Sequence, residues 1–299
     1  MNSTLMVWLI PTILAIGIVL WAVLYERLNY RLRERSIVLP FPGPERLTIL
    51  HLSDLHLVPR CRRLTAFLRS LRNVEADLVL YTGDFLEDPG DAPLLEEALS
   101  GIAGRYGSFG VFGNHDYYRY VWTEVFGKFP HATHRMQDIT RARETLEKLG
   151  VRCLFNSSFV VDCGGYPIRI VGIDDPYLER DDIDQAFADV GQDETVIALV
   201  HSPGVYRELV DRKVALILSG HTHGGQLRLP WLGALVTRSP IPKRMAMGIS
   251  QIGETILFVS PGLGVTPRLP FRFLSPPEAT ILHVRFQPEA WRARRPALP

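Results

Sequence analysis

The sequence predicts an α/β domain with two packed sheets, preceded by a single N-terminal membrane-spanning helix. Two observations support this prediction. Short apolar runs of about 4–8 residues, rich in Val, Ile and Leu, alternate with helix-like segments, as is typical of α/β domains. Before them, residues 5–25 form a stretch of 21 residues without a charge, which is long enough to cross a bilayer core of roughly 30 Å.

The uncharged stretch is predicted to be a membrane anchor rather than a cleaved signal peptide. The segment before it, MNST, has no positive charge, and no small-x-small cleavage pattern follows. Arg27, Arg31, Arg33 and Arg35 follow the stretch, whereas no basic residue precedes it. The positive-inside rule therefore places the C-terminal part of the chain in the cytoplasm.

Composition and charge exclude several classes of protein. A hydrophobic content of 46% is enough for a core, so the chain is not a disordered protein. The net charge of +1 gives no overall field that would attract nucleic acid, and we expect no obligatory nucleic-acid partner. Three cysteines, Cys61, Cys153 and Cys163, lack metal-type spacing and fit a reducing compartment.

Five apolar runs share one feature, because each ends in a polar, glycine-containing corner with possible metal ligands. In chain order they are RLTILHLSDLHL (46–57), ADLVLYTGDF (76–85), YGSFGVFGNHD (106–116), TVIALVHSP (195–203) and VALILSGHTH (214–223). They indicate buried strands. Helical patterns lie between several of them, at 62–75, 92–102, 139–150 and 203–212. Further strand patterns, at 157–173, 254–260 and 278–286, are assigned to a second sheet packed on the first.

The strand corners offer oxygen and imidazole ligands. Asp54 and His56 lie two residues apart at a strand end, so the period of two places both side chains on one face. The corners offer nine candidate ligands, which are Asp54, His56, Asp84, Asn114, His115, Asp116, His201, His221 and His223. Ligands of this type without thiolate suit Mn²⁺, Fe or Zn²⁺, and they leave the choice among these metals open. Two such ions about 3.5–4 Å apart form a clamp for phosphoryl transfer.

Each corner taken alone has an ordinary structural interpretation. An isolated Asp-x-His is usually a turn with a hydrogen-bonded histidine, and Gly-Asp after a strand is usually turn chemistry. The corners are more informative together, because five of the nine histidines fall in them. The sequence therefore favours one shared metal site.

These corners also resemble the motifs of the calcineurin-like metallophosphoesterases. SDLHL, TGDF, GNHD, VHSP and GHTHGG match that family's five motifs in order, and the resemblance extends from about Thr48 to Arg285. It implies an αββα sandwich with two divalent metal ions at the strand ends, Mn²⁺ first, with Fe or Zn²⁺ as alternatives. It further implies that the two ligand sets are Asp54, His56, Asp84 and His223 for one metal, and Asp84, Asn114, His201 and His221 for the other, with Asp84 bridging.

The same resemblance implies a role for the GNHD segment. His115 would stabilise or protonate the departing oxygen, and we expect Asp116 to orient its ring. A packing role is the alternative for His115. Glu87 occupies the position three residues after Asp84, where the purple acid phosphatase branch has a tyrosine ligand, so that branch is disfavoured.

Glycines surround the histidine pair in the segment ILSGHTHGGQ. We expect His221 and His223 to point to one side of an extended turn, one toward each metal. Gly220, Gly224 and Gly225 would then let the backbone pass close to the ions without a side-chain clash.

The chain is divided into four segments on these grounds. Residues 1–36 are assigned to the membrane anchor and its basic juxtamembrane segment, and residues 37–45, which include LPFPGPE, to a proline-rich linker. Residues 46–287 are assigned to the metallophosphoesterase catalytic domain, and residues 288–299 to a C-terminal tail.

Within the family, the N-terminal span, GHTHGGQLRLP and GLGVTPRLPFRFLSPPEATILHV resemble the bacterial membrane-associated phosphodiesterase branch. Some members of that branch resemble UDP-2,3-diacylglucosamine pyrophosphatases of lipid A synthesis, which release UMP. The resemblance implies an anchored phosphodiesterase or pyrophosphatase of the bacterial inner membrane, with another lipid, cell-envelope or nucleotide substrate as the alternative. The rival from another class is a membrane-tethered binding scaffold. We predict no protein partner.

Candidate substrate-binding residues follow from chemistry suited to a lipid phosphate. Tyr117 follows GNHD closely enough to line a pocket, and a packing role is the alternative, since tyrosines after a turn are commonly packing residues. Residues 227–248 mix apolar groups with Arg238, Lys243 and Arg244, and RLPFRF has the same character. Apolar groups beside basic ones suit acyl chains and a phosphate. The alternative is that these segments are ordinary covering loops with solvated basic side chains.

Overall fold

The N-terminal apolar stretch is a helix. In the computed structural model, which describes residues 3–120, 135–265 and 269–287, helix α1 spans Ser3–Leu20 and continues through a π turn and a 3₁₀ turn. The segment Trp8–Leu28 is long and apolar enough to cross a membrane. Its large apolar side chains are mostly exposed, as expected of a helix that faces lipid instead of a protein core.

Fourteen strands and seven helices are present among the described residues. The strands are β1 (Arg31–Leu39), β2 (Arg46–Leu52), β3 (Leu78–Thr82), β4 (Gly107–Val111), β5 (Val151–Cys153), β6 (Ser157–Asp162), β7 (Pro167–Ile173), β8 (Thr195–Val200), β9 (Leu216–Ser219), β10 (Arg228–Leu229), β11 (Gly233–Ala234), β12 (Gly248–Ile252), β13 (Thr255–Val259) and β14 (Glu278–Phe286). After α1, the helices are α2 (Arg62–Ser70), α3 (Pro93–Leu99), α4 (Asn114–Tyr117), α5 (Thr140–Lys148), α6 (Ile183–Ala186) and α7 (Tyr206–Asp211).

The strands form two six-stranded mixed sheets. The first has the order β1-β14-β2-β3-β4-β5, and β2 to β5 run parallel. The second has the order β12-β13-β9-β8-β7-β6, with β7, β8, β9 and β13 parallel. Strands β10 and β11 form a separate short hairpin. The carboxyl ends of the parallel strands carry the motif corners.

Alternation along the strands builds three apolar layers. In β2, Leu50 and Leu52 pack under α2, α3 and α5, whereas Ile49 faces the second sheet. In β9, Leu218 faces the first sheet and Ile217 packs under α6 and α7. Successive strand residues point to opposite faces, so each sheet is apolar on both faces and requires a cover on each. The predicted αββα sandwich is confirmed.

Two strands differ from the sequence-based assignment. Residues 31–39, which we divided between the basic juxtamembrane segment and the linker, form edge strand β1, paired in parallel with β14. Their outward side chains are largely charged, and only Ile37 and Leu39 are buried. The segment therefore lacks the run of apolar residues by which a strand is recognised in a sequence. Strand β14, which we assigned to the second sheet, lies in the first sheet between β1 and β2. The predicted tail, residues 288–299, lies outside the described residues.

Candidate metal centre

The loops after β2, β3 and β9 contain left-handed residues at the predicted ligands. The φ angles are 51° at Asp54, 44° at His56, 53° at Asp84, 67° at His221 and 49° at His223. Such a backbone is uncommon for residues other than glycine, and it costs of order 1–3 kcal/mol each where it persists at functional sites. The expected period-two strand geometry at Asp54 and His56 is therefore wrong, since both follow the end of β2 and converge through tight turns.

Four of the predicted ligands form the first group. The possible ligand atoms of Asp54, His56, Asp84 and His223 all lie within 4.8 Å of one another, and all four residues are buried. His56 Nε2 is 3.1 Å from His223 Nε2 and 3.4 Å from Asp84 Oδ2. Two imidazole nitrogens and a carboxylate oxygen that face one another in this way fit a divalent cation.

The other three predicted ligands form a second group beside Asp84. Asn114 Oδ1 is 3.2 Å from His201 Nε2 and 2.9 Å from His221 Nδ1. His201 Nε2 is 3.3 Å from Asp84 Oδ2, which is also the oxygen that faces His56. Asp84 Oδ2 therefore lies between the two groups, at nearly the same distance from a histidine of each.

The protonation of the histidines fits metal binding. Burial lowers the pKa of His221 to about 3 and holds the pKa of His223 well below its ordinary value, so both rings are neutral at pH 7. Burial opposes charge on His56 and His201 as well, but neighbouring carboxylates outweigh it and raise the pKa of both rings. A proton on either ring competes with a metal ion for the same nitrogen, and a divalent cation that binds there displaces the proton.

Glu87 is a part of the site that the sequence analysis missed. Its Oε1 is 2.7 Å from His56 Nδ1 and 3.2 Å from His115 Nδ1. Burial alone would raise the pKa of Glu87, but His115 and His56 hold it well below its ordinary value. The available signal was its position three residues after Asp84, which we used only to exclude a tyrosine ligand.

Asp116 does not take the role that we expected. Its carboxylate accepts backbone N–H groups from Phe85 at 2.8 Å, Leu86 at 3.1 Å and Gly113 at 2.9 Å. Asp116 thus joins the TGDF and GNHD loops, while Glu87 is the carboxylate that contacts the ring of His115. A short aspartate next to a turn satisfies local backbone donors more readily than it reaches a neighbouring ring.

The tyrosines near the site differ from the prediction. The side chain of Tyr117 is buried and donates to Asp174 at 2.6 Å, so it does not line the cavity beside the histidines. Tyr120 accepts from Asn114 Nδ2 at 2.9 Å, and the ring of Tyr177 lies 4.8 Å from that of His221.

An apolar cavity of about 500 Å³ adjoins both groups of ligands, through His223 of the first and His221 of the second. Its lining includes His221, His223, Leu227, Leu235, Val236, Arg238, Leu269 and Phe271. Of the predicted basic residues, Arg238 lines this cavity, whereas Lys243 and Arg244 lie exposed on the 3₁₀ turn Lys243–Met245, away from the lining.

Glycines make room for the carboxylates. A Cβ at Gly220 would overlap the hydroxyl of Ser53 and the carboxylate of Asp54, and a Cβ at Gly113 would overlap Asp84 Oδ1. Gly224 and Gly225 have a different role from the one expected. A Cβ at Gly224 would meet Ser275 in the loop before β14, and a Cβ at Gly225 would meet Ala234 in β11.

Gly113→Ala should lower both stability and activity. The added methyl would overlap Asp84 and lie 2.7 Å from the ring of His201, and overpacking of this kind costs about 1–3 kcal/mol. Thermal unfolding and metal content would be measured beside Gly191→Ala, whose Cβ would meet Glu194 at an ordinary 3.5 Å. Equal melting temperature and metal content in the two variants would contradict the close packing at Gly113.

Comparisons with known proteins show which family the chain belongs to. The family model described as calcineurin-like phosphoesterase matches residues 47–225. The uncharacterized metallophosphoesterase YkuE of Bacillus subtilis is 30% identical over 84% of this chain and 83% of its own length. The phosphodiesterase YaeI of Escherichia coli is 30% identical over 79% of this chain and 81% of its own.

A third relative carries a more specific name. The UDP-2,3-diacylglucosamine pyrophosphatase LpxG of Chlamydia trachomatis is 27% identical over 88% of this chain and 89% of its own length. The similarity therefore extends over most of both chains.

Proposed function

Because the chain belongs to the calcineurin-like phosphoesterase family and is a hydrolase of phosphoric esters that uses divalent metal, we propose that it hydrolyses a lipid-linked pyrophosphate or phosphodiester. The substrate we propose is UDP-2,3-diacylglucosamine, giving 2,3-diacylglucosamine 1-phosphate and UMP. The observation that supports a lipid substrate is the apolar cavity beside His221 and His223. The name of the relative LpxG points to the same class of substrate.

The two groups of side chains would hold two metal ions. Asp54, His56, Asp84 and His223 would bind one, and Asp84, Asn114, His201 and His221 the other. The shared position of Asp84 Oδ2, 3.4 Å from His56 and 3.3 Å from His201, supports a bridging role. Carboxylate, amide and imidazole donors suit Mn²⁺, which we propose as the native ion, with Fe or Zn²⁺ as alternatives.

Glu87 supports both metal binding and proton transfer. An ionised carboxylate only accepts hydrogen bonds, so His56 and His115 both present Nδ1–H to Glu87. This leaves His56 Nε2 free to bind a metal. His115, as an imidazolium that carries a second proton on Nε2, would give that proton to the departing oxygen. The metal ions, when bound, supply an activated water and neutralise charge on the phosphoryl oxygens.

The N-terminal helix fits a single-pass membrane anchor. We propose that it lies in the bacterial inner membrane with the catalytic domain in the cytoplasm, as the arginine bias indicates. The substrate would then reach the site from the membrane surface. A phosphodiester of another lipid, of the cell envelope or of a nucleotide is the alternative substrate. The relative YaeI is named a phosphodiesterase, which favours a diester bond and names no substrate.

The decisive experiment compares two substrates. We would purify the full-length protein in detergent with Mn²⁺ and measure UMP release from UDP-2,3-diacylglucosamine beside hydrolysis of a soluble aryl phosphodiester, with Asn114→Ala as the blank. Fast UMP release that depends on Asn114 and exceeds turnover of the aryl diester supports the proposal. Turnover of the aryl diester alone would retain the phosphoesterase and reject the lipid substrate.

Leu235→Asp should impair hydrolysis of the lipid substrate and not that of the aryl phosphodiester. A charge in the apolar cavity would disfavour an acyl chain, so KM for the lipid should rise about tenfold or more, while turnover of the aryl diester stays near normal. Ile249→Asp is the matched control, because Ile249 is exposed on β12 and does not line the cavity. An equal KM for the lipid in both variants would exclude the cavity as the acyl site.

A further inference from the structure

The end of the membrane helix is hydrogen-bonded to the loop of residues 269–277. Ala22, in the π turn Trp21–Tyr25, accepts at its carbonyl the backbone N–H of Arg272 at 3.1 Å. Glu26 accepts the backbone N–H of Ser275 at 2.6 Å and the indole N–H of Trp21 at 2.9 Å. Glu26 is only 4% exposed although it carries a carboxylate. The helix and the loop are therefore joined through buried polar groups.

The same loop is hydrogen-bonded to a predicted metal ligand. The hydroxyl of Ser275 donates to the backbone carbonyl of His223 at 2.7 Å. A guanidinium nitrogen of Arg272 lies 3.2 Å from His223 Nδ1. Ser275 thus holds the backbone of His223, and Arg272 lies against its ring.

Arg272 extends this connection to the other side of the first group. Its fully buried guanidinium donates to the carbonyls of Gly262 at 3.2 Å and Gly264 at 2.6 Å. The backbone N–H of Gly264 in turn donates to the carbonyl of Asp54 at 2.6 Å. A buried charge is costly unless its hydrogen bonds are made, so these contacts fix the loop in one geometry.

We propose that Glu26 is a positioning residue of the metal centre. By holding Ser275, and with it the loop that carries Arg272, Glu26 fixes the backbone and ring of His223. The last turns of the membrane helix are then a structural part of the site, beyond their role as an anchor. This inference rests on the dinuclear centre proposed above.

The test uses full-length protein in detergent and reads metal binding. Apoprotein of wild type, Glu26→Ala, Glu26→Gln and Glu34→Gln would be titrated with Mn²⁺ to give the number of ions bound and their affinities. Glu34 is the matched control, because it is a carboxylate on β1 whose side chain is 69% exposed and contacts His283. Thermal unfolding in EDTA would show whether each apoprotein is folded.

We expect Glu26→Ala to lower the affinity for one of the two Mn²⁺ ions by about tenfold or more, as loss of a supporting contact does at other metal sites. Glu26→Gln should lose less, since its amide oxygen can still accept from Ser275, and Glu34→Gln should match wild type. Two ions bound by Glu26→Ala with wild-type affinity would overturn the proposal.

A second variant covers the case in which Glu26→Ala does not fold. Ser275→Ala removes only the hydrogen bond from the hydroxyl to the carbonyl of His223. The affinity for one Mn²⁺ ion should fall to the same extent, and an unchanged affinity would overturn the proposal. Failure of the dinuclear centre gives a different result, because wild type itself would then bind fewer than two ions.

Discussion

Asp84→Asn should reduce hydrolysis by about 10³-fold or more, which corresponds to about 4 kcal/mol of lost transition-state stabilisation. Asp84 Oδ2 lies between His56 and His201, and a neutral amide at this position cannot supply the negative charge that the two proposed cations would share. The fold should persist, because the asparagine oxygen can still accept the backbone N–H of His115, which Asp84 Oδ1 now does at 2.8 Å.

The measurement is turnover of the aryl phosphodiester at saturating Mn²⁺, together with the number of ions bound. Asp88→Asn is the control, because Asp88 lies in the same loop but caps the turn at Gly90 through its own side chain. Near-normal turnover of Asp84→Asn in metal-replete buffer would refute the assignment of a shared ligand.

Glu87→Ala should lower both metal affinity and turnover, each by about 10–100-fold. Glu87 holds Nδ1 of His56, a proposed ligand, and Nδ1 of His115, the proposed proton donor. Without the carboxylate, both rings lose their fixed orientation and tautomer. Metal content and kcat would be measured at several Mn²⁺ concentrations.

His115→Ala is the comparison variant for this prediction. It should lower kcat and leave metal binding intact, because the ring of His115 is assigned to neither ligand group. If His115→Ala lost metal to the same extent as Glu87→Ala, His115 would be a structural residue. If Glu87→Ala kept full metal affinity, Glu87 would act on His115 alone.

The parts of the fold that were predictable are those buried on both faces. Strands such as β3 and β8 are apolar at almost every position, so their sequence signal is strong. Strand β1 is charged at four of its first five positions, and it joins the sheet by pairing with β14, 247 residues later in the chain. Local sequence does not show which strand β1 pairs with, and it does not show to which of the two sheets β14 belongs.

The candidate ligands were predictable because each follows a strand directly. The residues that support them were not, since their contacts depend on the course of the loops. Glu87 contacts His56 from the loop after β3, and Arg272 contacts His223 from the loop before β14. The course of such loops depends on left-handed residues and on hydrogen bonds to buried carbonyls, which the sequence does not show. Tyr117 and Tyr120 lie three residues apart, yet only the second contacts Asn114, because the chain turns after α4.

The connection between the membrane helix and the first sheet is very short. Two residues, Asn29 and Tyr30, separate the last helical turn from β1, and the ring of Tyr30 stacks on Phe67 at 5.6 Å. In a bilayer, this connection fixes the height and tilt of the metal centre relative to the lipid headgroups. With the proposed lipid substrate, the rate of hydrolysis would follow the number of substrate molecules per area of leaflet and not their concentration in the surrounding volume.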